Sequence, residues 1–251
     1  MTSFGTVLNK HQRIMLQFSG GKDSLATLYL LEKWWEKILV VFCNAGDELP
    51  ETLEVVDKIK ANPNINLLEV SPTLPQPLSI QLHGYPSDIV PLRNVNEYAY
   101  LSQRPMNGVA IQSIMNCCNR LLFKPLHDAA IEYGATLIIR GQRLDEDLHS
   151  PLRSGDVVDG IEYFMPLEDW TEEAVFAFLE TNNIDIPKHY EHVDHSLDCA
   201  TCTGFLDQSK DKILYLKKYH PELYERVKNR LTLINEALEG ERKHLIDAIN
   251  I

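Results

Sequence analysis

The sequence predicts an α/β fold, a mostly parallel twisted sheet with helices on both faces, followed by a helical C-terminal extension. Three observations predict it. Short apolar runs at Ile14–Phe18, Lys37–Cys43 and Thr136–Ile139 read as strands buried on both faces, as strands of parallel sheets are. Stretches of helical spacing alternate with them: Leu25, Leu28, Leu31 and Trp35 follow the first run, and Val55, Val56 and Ile59 follow the second. That alternation is the pattern of βαβ units. Beyond Gly204, Leu223, Val227, Leu231, Ile234 and Leu238 form one apolar stripe, as helices packing on a core or a partner do. The expected division is a main domain over 1–205 and a helical extension over 206–251.

The bulk composition bounds the function. A chain of 251 residues buries a sizeable core, and 44% hydrophobic with 24% charged residues is ordinary for a soluble globular protein. Residues 1–10 show no signal-peptide pattern and no run approaches a membrane span, so a cytoplasmic protein with no membrane partner is expected. The balance of 24 basic against 36 acidic residues gives −12. Such a balance weakens tRNA or DNA as a direct partner without dismissing a local basic patch. Five cysteines in a reducing compartment point to metal binding or catalysis before disulfides.

The first strand runs directly into Ser19-Gly20-Gly21-Lys22-Asp23-Ser24, and a helix follows at once. Adjacent glycines let the main chain curl and point successive N–H groups into one concavity. At a helix N-terminus that concavity favours an anion. Ser19 and Ser24 add hydroxyls and Lys22 a point charge, while Asp23 suits Mg²⁺ or a nucleophile's proton better than a phosphate. The Walker A spacing is absent.

The second strand is followed by Asn44-Ala45-Gly46-Asp47-Glu48-Leu49-Pro50-Glu51-Thr52, and Asn66–Val70 reads as a third strand. Both loops would lie at the carboxyl ends of the strands, where such sheets bind ligands. From Ser71 to Gly108, six prolines deny the chain a long helix or a central strand, and an irregular functional loop is expected. Its His83, Tyr85 and Arg93 are candidate substrate contacts, with surface packing as the plainer reading. Cys117-Cys118 opens a helical pattern through Leu121, Leu122, Leu126 and Ala130. Arg140-Gly141-Gln142-Arg143-Leu144-Asp145-Glu146 follows the Thr136–Ile139 strand, and Thr171 starts a further helix.

Cys117, Cys118, Cys199 and Cys202 offer four thiolates, soft ligands suited to zinc or an iron–sulfur cluster. Adjacent cysteines project in different directions and fit a cubane's separate corners better than one tetrahedral zinc. His189, His192 and His195 keep zinc open, and four buried thiols are the bland alternative.

These motifs carry two resemblances. Ser19–Ser24 resembles the pyrophosphate-binding loop of the PP-loop ATP pyrophosphatases (adenine nucleotide alpha hydrolase-like), which cleave ATP between the α and β phosphates. Cys117 to Leu126, the Met165-Pro166-Leu167-Glu168-Asp169-Trp170-Thr171 segment and Asp198-Cys199-Ala200-Thr201-Cys202-Thr203 resemble motifs of the phosphoadenylyl-sulfate and adenylyl-sulfate reductase family. Asn44–Thr52 resembles its D-T-G-x-x-F-P-E-T loop, with Asn44 and Ala45 departing from it. Gly141-x-Arg143 with Asp145-Glu146 resembles the G-x-R-x-D-E loop of related members, although Arg153 lies three positions beyond the usual second arginine.

The resemblance implies a 4Fe-4S cluster on Cys117, Cys118, Cys199 and Cys202, close to the nucleotide phosphates, with Lys124 between them. It implies ATP and Mg²⁺ as cofactors, with Ser19, Gly20, Gly21, Lys22, Asp23, Ser24, Gly46 and Gly141 at the nucleotide. Lys22, Asp23 and Arg143 would be catalytic, and Glu51, Thr52, Lys124 and Glu146 would face substrate. Two departures shape the expected activity. The reductases carry a catalytic cysteine in E-C-G-L-H, whereas no cysteine follows Cys202 here, and Cys43 is read as a core residue. The reductases also use degraded loops, whereas the intact S-G-G-K-D-S is similar to ATP-cleaving members, among them tRNA thiolases. An enzyme that adenylylates a substrate during sulfur transfer is therefore expected, with a sulfur donor or thioredoxin-like reductant as partner and a homo-oligomer as assembly. A nucleotide-sulfate reductase using another thiol and a non-catalytic nucleotide-binding regulator are the alternatives.

Overall fold

A computed structural model describes residues 4–89, 109–146, 150–193, 195–197, 199–206 and 210–250. In chain order its elements are α1 (Phe4–Leu8), β1 (Ile14–Phe18), α2 (Lys22–Leu30), β2 (Ile38–Cys43), α3 (Pro50–Lys60), β3 (Asn66–Val70), α4 (Gln76–His83), β4 (Tyr85–Ser87), β5 (Ile111–Ser113), α5 (Ile114–Cys118), α6 (Lys124–Tyr133), β6 (Leu137–Ile139), β7 (Val157–Val158), β8 (Ile161–Phe164), α7 (Glu172–Thr181), α8 (Lys210–Tyr219) and α9 (Pro221–Ile249). The chain forms two compact units. One takes Met1–Asn44, Leu49–Val70 and Lys124–Tyr190; the other takes Ala45–Glu48, Ser71–Phe123 and Glu191–Ile251.

The first unit is the expected α/β sheet, six strands in the order β3-β2-β1-β6-β8-β7. β1 pairs in parallel with both neighbours, so that Leu16 faces Val40 on one side and Ile139 on the other. The β7–β8 pairing is antiparallel. A strand flanked on both sides and covered on both faces has no polar face, which is why Ile14–Phe18 is almost wholly apolar. Ile14, Leu16 and Phe18 turn to one face and pack with Leu25 and Leu28 of α2, Val56 and Ile59 of α3, and Val175 and Leu179 of α7. Met15 turns to the other face, among Leu39, Val41, Ile138 and Tyr163, beneath Ala129 and Ala130 of α6. The buried Trp35 is anchored by its indole N–H, which donates to the Leu28 carbonyl at 2.8 Å.

Two expectations change here. The stretch from Ser71 is not irregular throughout: α4 forms directly after Pro75, and β4 pairs in parallel with β5. Pro77 stands in the first turn of α4, where a missing N–H has no intrahelical partner to lose. Residues 90–108, with Arg93, lie outside the described residues. Secondly, Cys117 and Cys118 close a helix instead of opening one. α5 begins three residues earlier because Ser113 caps it, its hydroxyl accepting from the Asn116 amide at 3.1 Å, and a π-helical turn over Asn119–Phe123 follows.

The second unit contains the β4–β5 ribbon, α5, α8 and α9. Val227 and Ile234 of the expected stripe are buried, as are Tyr215 and Leu216 on α8. Among the described residues no helix is long and apolar enough to cross a membrane.

Leu16 is wholly buried at the centre of the sheet. Leu16→Ala should lower unfolding stability by about 2–5 kcal/mol. Urea titration should show a reduced midpoint with an unchanged slope.

Candidate functional site

In the first unit, β2 and β3 lie on one side of β1, and β6 and β8 on the other. Strand order therefore reverses between β1 and β6, and the crevice outside their carboxyl ends is where sheets of this kind bind ligands. Ser19–Ser24 leaves β1 there and Gly141–Glu146 follows β6. Gly20 has φ +79°, and a Cβ on it would lie 3.0 Å from the Thr52 methyl. A Cβ on Gly141 would lie 2.7 Å from the Asp23 carbonyl carbon and oxygen, so main chain meets main chain at this point. The Gly141 requirement is thus one of close approach, and Thr52 covers the glycine turn.

Gly21 begins α2 without a side-chain cap, leaving the helix terminus to other partners. Ser19 Oγ accepts from the Gly21 amide at 3.3 Å and donates to Ser24 Oγ at 3.2 Å; Ser24 Oγ donates to the Gly21 carbonyl at 2.9 Å. The Lys22 amide donates to the Tyr190 hydroxyl at 3.3 Å.

Charge is concentrated beside this turn. The buried Lys22 ammonium lies 3.1 Å from Asp23 and 2.9 Å from Glu172, over the rings of Phe176 and Tyr190. The Arg143 side chain, only 4% exposed, donates through Nε to Asp23 at 2.7 Å and through Nη1 to Asp145. Glu146 and Glu172 lie 3.7 and 3.8 Å from Arg143. Burial works against the charge on Lys22, yet Asp23, Tyr190 and Glu172 outweigh it and hold the ammonium above its usual range. Burial also opposes the Arg143 charge, and Asp23, Asp145 and Glu146 again prevail. Glu146 goes the other way: burial, then the Asp23 charge, push its carboxyl up to about 7 against Arg143 and Lys22. Two cations thus face four carboxylates, a set suited to a divalent cation and a polyphosphate together.

Of the expected site residues, the structure brings Lys22, Asp23, Arg143 and Glu146 together, with Ser19, Gly20, Ser24 and Gly141 around them. Glu51 stands in the first turn of α3. Lys124 instead pairs with Asp128 at 2.6 Å on an exposed face of α6. The sequence does not point to Glu172, Tyr190 or Phe176; the acidic pair after Thr171 reads in sequence as an ordinary helix start.

The second unit holds Gly46 and all four cysteines. Gly46 has φ +84°, and a Cβ would lie 2.8 Å from Pro75 Cβ. Its amide donates to Glu48 at 3.0 Å, as do those of Ala45 at 2.8 Å and Asp47 at 2.9 Å, so the expected anion cradle at Gly46 is occupied by the chain's own carboxylate. Cys117 and Cys199 pack in one apolar cluster with Ala45 and Leu121. Burial, then Cys202, pushes the Cys117 thiol up to about 12, with Arg120 and Arg230 opposing. Burial also raises Cys199 well above the usual thiol range, with Cys202, Asp47, Glu48 and Cys118 adding to it. The four sulfurs are therefore grouped closely enough for charge on one to be felt by others. Among the described residues, no three His, Cys, Asp or Glu side chains are drawn together as a closed set of ligands. The donor chemistry fits a thiophilic centre, and thiols raised in this way are poor nucleophiles. Cys43 is a buried residue ending β2.

The raised Glu146 carboxyl has a consequence for stability. Between its ordinary value of 4.5 and about 7 the folded chain holds a proton that the unfolded chain has released, so stability falls as pH rises through that window. Glu146→Gln should remove this slope, its advantage over the parent growing through the window and levelling above it. Urea unfolding at pH values below, within and above the window checks this.

Known proteins resemble the chain over most of its length. Residues 13–205 match the phosphoadenosine phosphosulfate reductase domain. An uncharacterized protein of Methanocaldococcus jannaschii is 24% identical over 87% of this chain, and the chain spans about half, 47%, of that relative's length. The adenosine 5'-phosphosulfate reductase of Burkholderia cepacia is 23% identical over 80% of this chain and 74% of its own. The crystal structure of phosphoadenylyl-sulfate reductase from Candida auris superposes with TM-score 0.50 at 18% identity, covering 71% of this chain and 77% of that one. By its fold and by the extent of this match, the chain belongs to the phosphoadenosine phosphosulfate reductase domain family.

Proposed function

We propose that this protein is an ATP pyrophosphatase of the family, adenylylating a substrate oxygen as the first half of a sulfur transfer. The observation that carries the reading is the Ser19–Ser24 turn at the strand-order reversal, with Lys22 and Arg143 both held against it by carboxylates. The substrate oxygen attacks the α-phosphorus; the new O–P bond forms as the bond to the β-phosphate oxygen breaks, and pyrophosphate departs. Ser19, the Gly20–Gly21 amides and Ser24 receive the departing phosphates, and Lys22 offsets their charge. Arg143 meets the α-phosphate. Glu146, held near pH 7, takes the proton from the attacking hydroxyl. Asp23, Asp145 and Glu172 would hold Mg²⁺, which when bound supplies further positive charge to the phosphates. Lys22 and Arg143 must then exchange carboxylate partners for phosphate oxygens, and Tyr190 must release the Lys22 amide.

Cys117, Cys118, Cys199 and Cys202 would hold a 4Fe-4S cluster, which when bound supplies an iron site for sulfur chemistry. Their grouping in one unit supports this assignment. A sulfur donor would supply the second half of the reaction. A second reading, adenylyl-sulfate reduction, is favoured by the named activity of the Burkholderia cepacia relative. It requires a nucleophilic thiol. Burial of Cys43 and the raised Cys117 and Cys199 thiols favour a thioredoxin-like partner for that role.

The test is pyrophosphate release from ATP and Mg²⁺ by anaerobically purified protein. Lys22→Ala is expected to slow release by about two orders of magnitude or more while leaving the fold intact. Sulfite release from adenylyl sulfate with thioredoxin, and none of pyrophosphate from ATP, would establish the reductase reading instead. Nucleotide binding without either product would make the protein a regulator, and a colourless protein holding one zinc would remove the cluster.

A further inference from the structure

The loop carrying Cys199 and Cys202 is held by groups that the chemistry above does not use. The Ala200 amide donates to the Asp47 carbonyl at 2.6 Å, and the Thr201 amide donates to the Asp47 carboxylate at 2.8 Å. The Thr201 hydroxyl donates to the same carboxylate, 2.9 and 2.8 Å from its oxygens. Asp47 and Thr201 are both buried. From the C-terminal helices come two cations. Lys212 of α8, also buried, donates to the Cys199 carbonyl at 2.6 Å. Arg230 of α9 donates to the Thr201 carbonyl and hydroxyl, and to Gln76 at 3.4 Å. Arg226 adds a contact of 3.7 Å to Asp47.

Withdrawing a guanidinium and an ammonium from water is costly, and a hydrogen bond to a neutral carbonyl recovers only part of that cost. Two such cations converging on the backbone of one C-x2-C loop are more than a loop of four residues needs to be ordered. Four thiolates, in contrast, concentrate negative charge, and cations near them stabilise it.

We propose that Arg230 and Lys212, braced through Thr201 by the buried Asp47, position the Cys199–Cys202 loop and supply the positive charge that sets the reduction potential of a cluster held by the four cysteines. This rests on the cluster assignment above. The C-terminal helices are then part of the metal centre, as positioning elements.

The test uses the full chain, purified anaerobically, as the parent, Arg230→Met and Arg230→Lys. Iron per chain, the midpoint potential from a spectroelectrochemical titration and hydrogen exchange at the Ala200 and Thr201 amides are measured. Arg230→Met should shift the potential to a more negative value and speed exchange at both amides, with Arg230→Lys returning both towards the parent. Loss of iron from a folded Arg230→Met that Arg230→Lys retains also supports the proposal. Equal potentials in the parent and Arg230→Met overturn it. Should Arg230→Met fail to fold, Arg230→Gln carries the same comparison. Should the parent hold no iron, the cluster assignment has failed on its own, and exchange at Ala200 and Thr201 decides the clamp: unchanged protection in Arg230→Gln overturns it.

Discussion

Between β1 and β6 the chain leaves room for main chain alone. Gly141 meets the backbone of Asp23 and Ser24 at a distance that no side chain tolerates, and this seam fixes the first turn of α2 against the loop that follows β6. The rest of the candidate site depends on it. Asp23 is brought to Arg143, Arg143 gathers Asp145, Glu146 and Glu172, and Glu172 returns to Lys22. Each cation is buried and each is held by more than one carboxylate, as low-dielectric surroundings demand. The resting site is a closed electrostatic circuit, and an incoming polyphosphate would have to be exchanged into it.

The second unit solves a different problem. Cys117 and Cys199 are sheltered, and burial raises both thiols above their usual range, with neighbouring sulfurs adding to the rise. An enzyme that needed one of them as an attacking thiolate would have to reverse each of those conditions. A metal centre needs no such reversal, because binding itself displaces the protons. The contrast between the units is one of charge: carboxylates surround cations in the first, and cations brace a loop of thiols in the second.

Much of this was legible in the chain. Strands buried on both faces cannot hide their apolar runs, so β1, β2 and β6 were readable, and the glycine turn announced itself by standing between a strand and a helix. What the sequence does not show is supplied by distant elements. Glu172 looks like a dipole-complementing residue in a helix's first turn. Tyr190 carries no pattern of its own. Lys212, Arg226 and Arg230 sit among other charges on helices and read as a solvated face, because helical periodicity does not say what a polar face meets. Pro75 and Pro77 read as disruption, whereas a helix's first turn accepts them. Ser113, the cap of α5, lies four residues before Cys117 with no other start signal beside it, so the sequence pattern sets the helix start three residues late.

The second unit is sewn from three lengths of chain that alternate in sequence with those of the first. Asp47 emerges early in synthesis, while the threonine it will brace comes 154 positions later and the arginine later still. Contacts so remote along the polymer form slowly and last. Cys117 and Cys118 are therefore made well before the Cys199–Cys202 loop and the residues that brace it, and the second unit is completed only by its most distant segment.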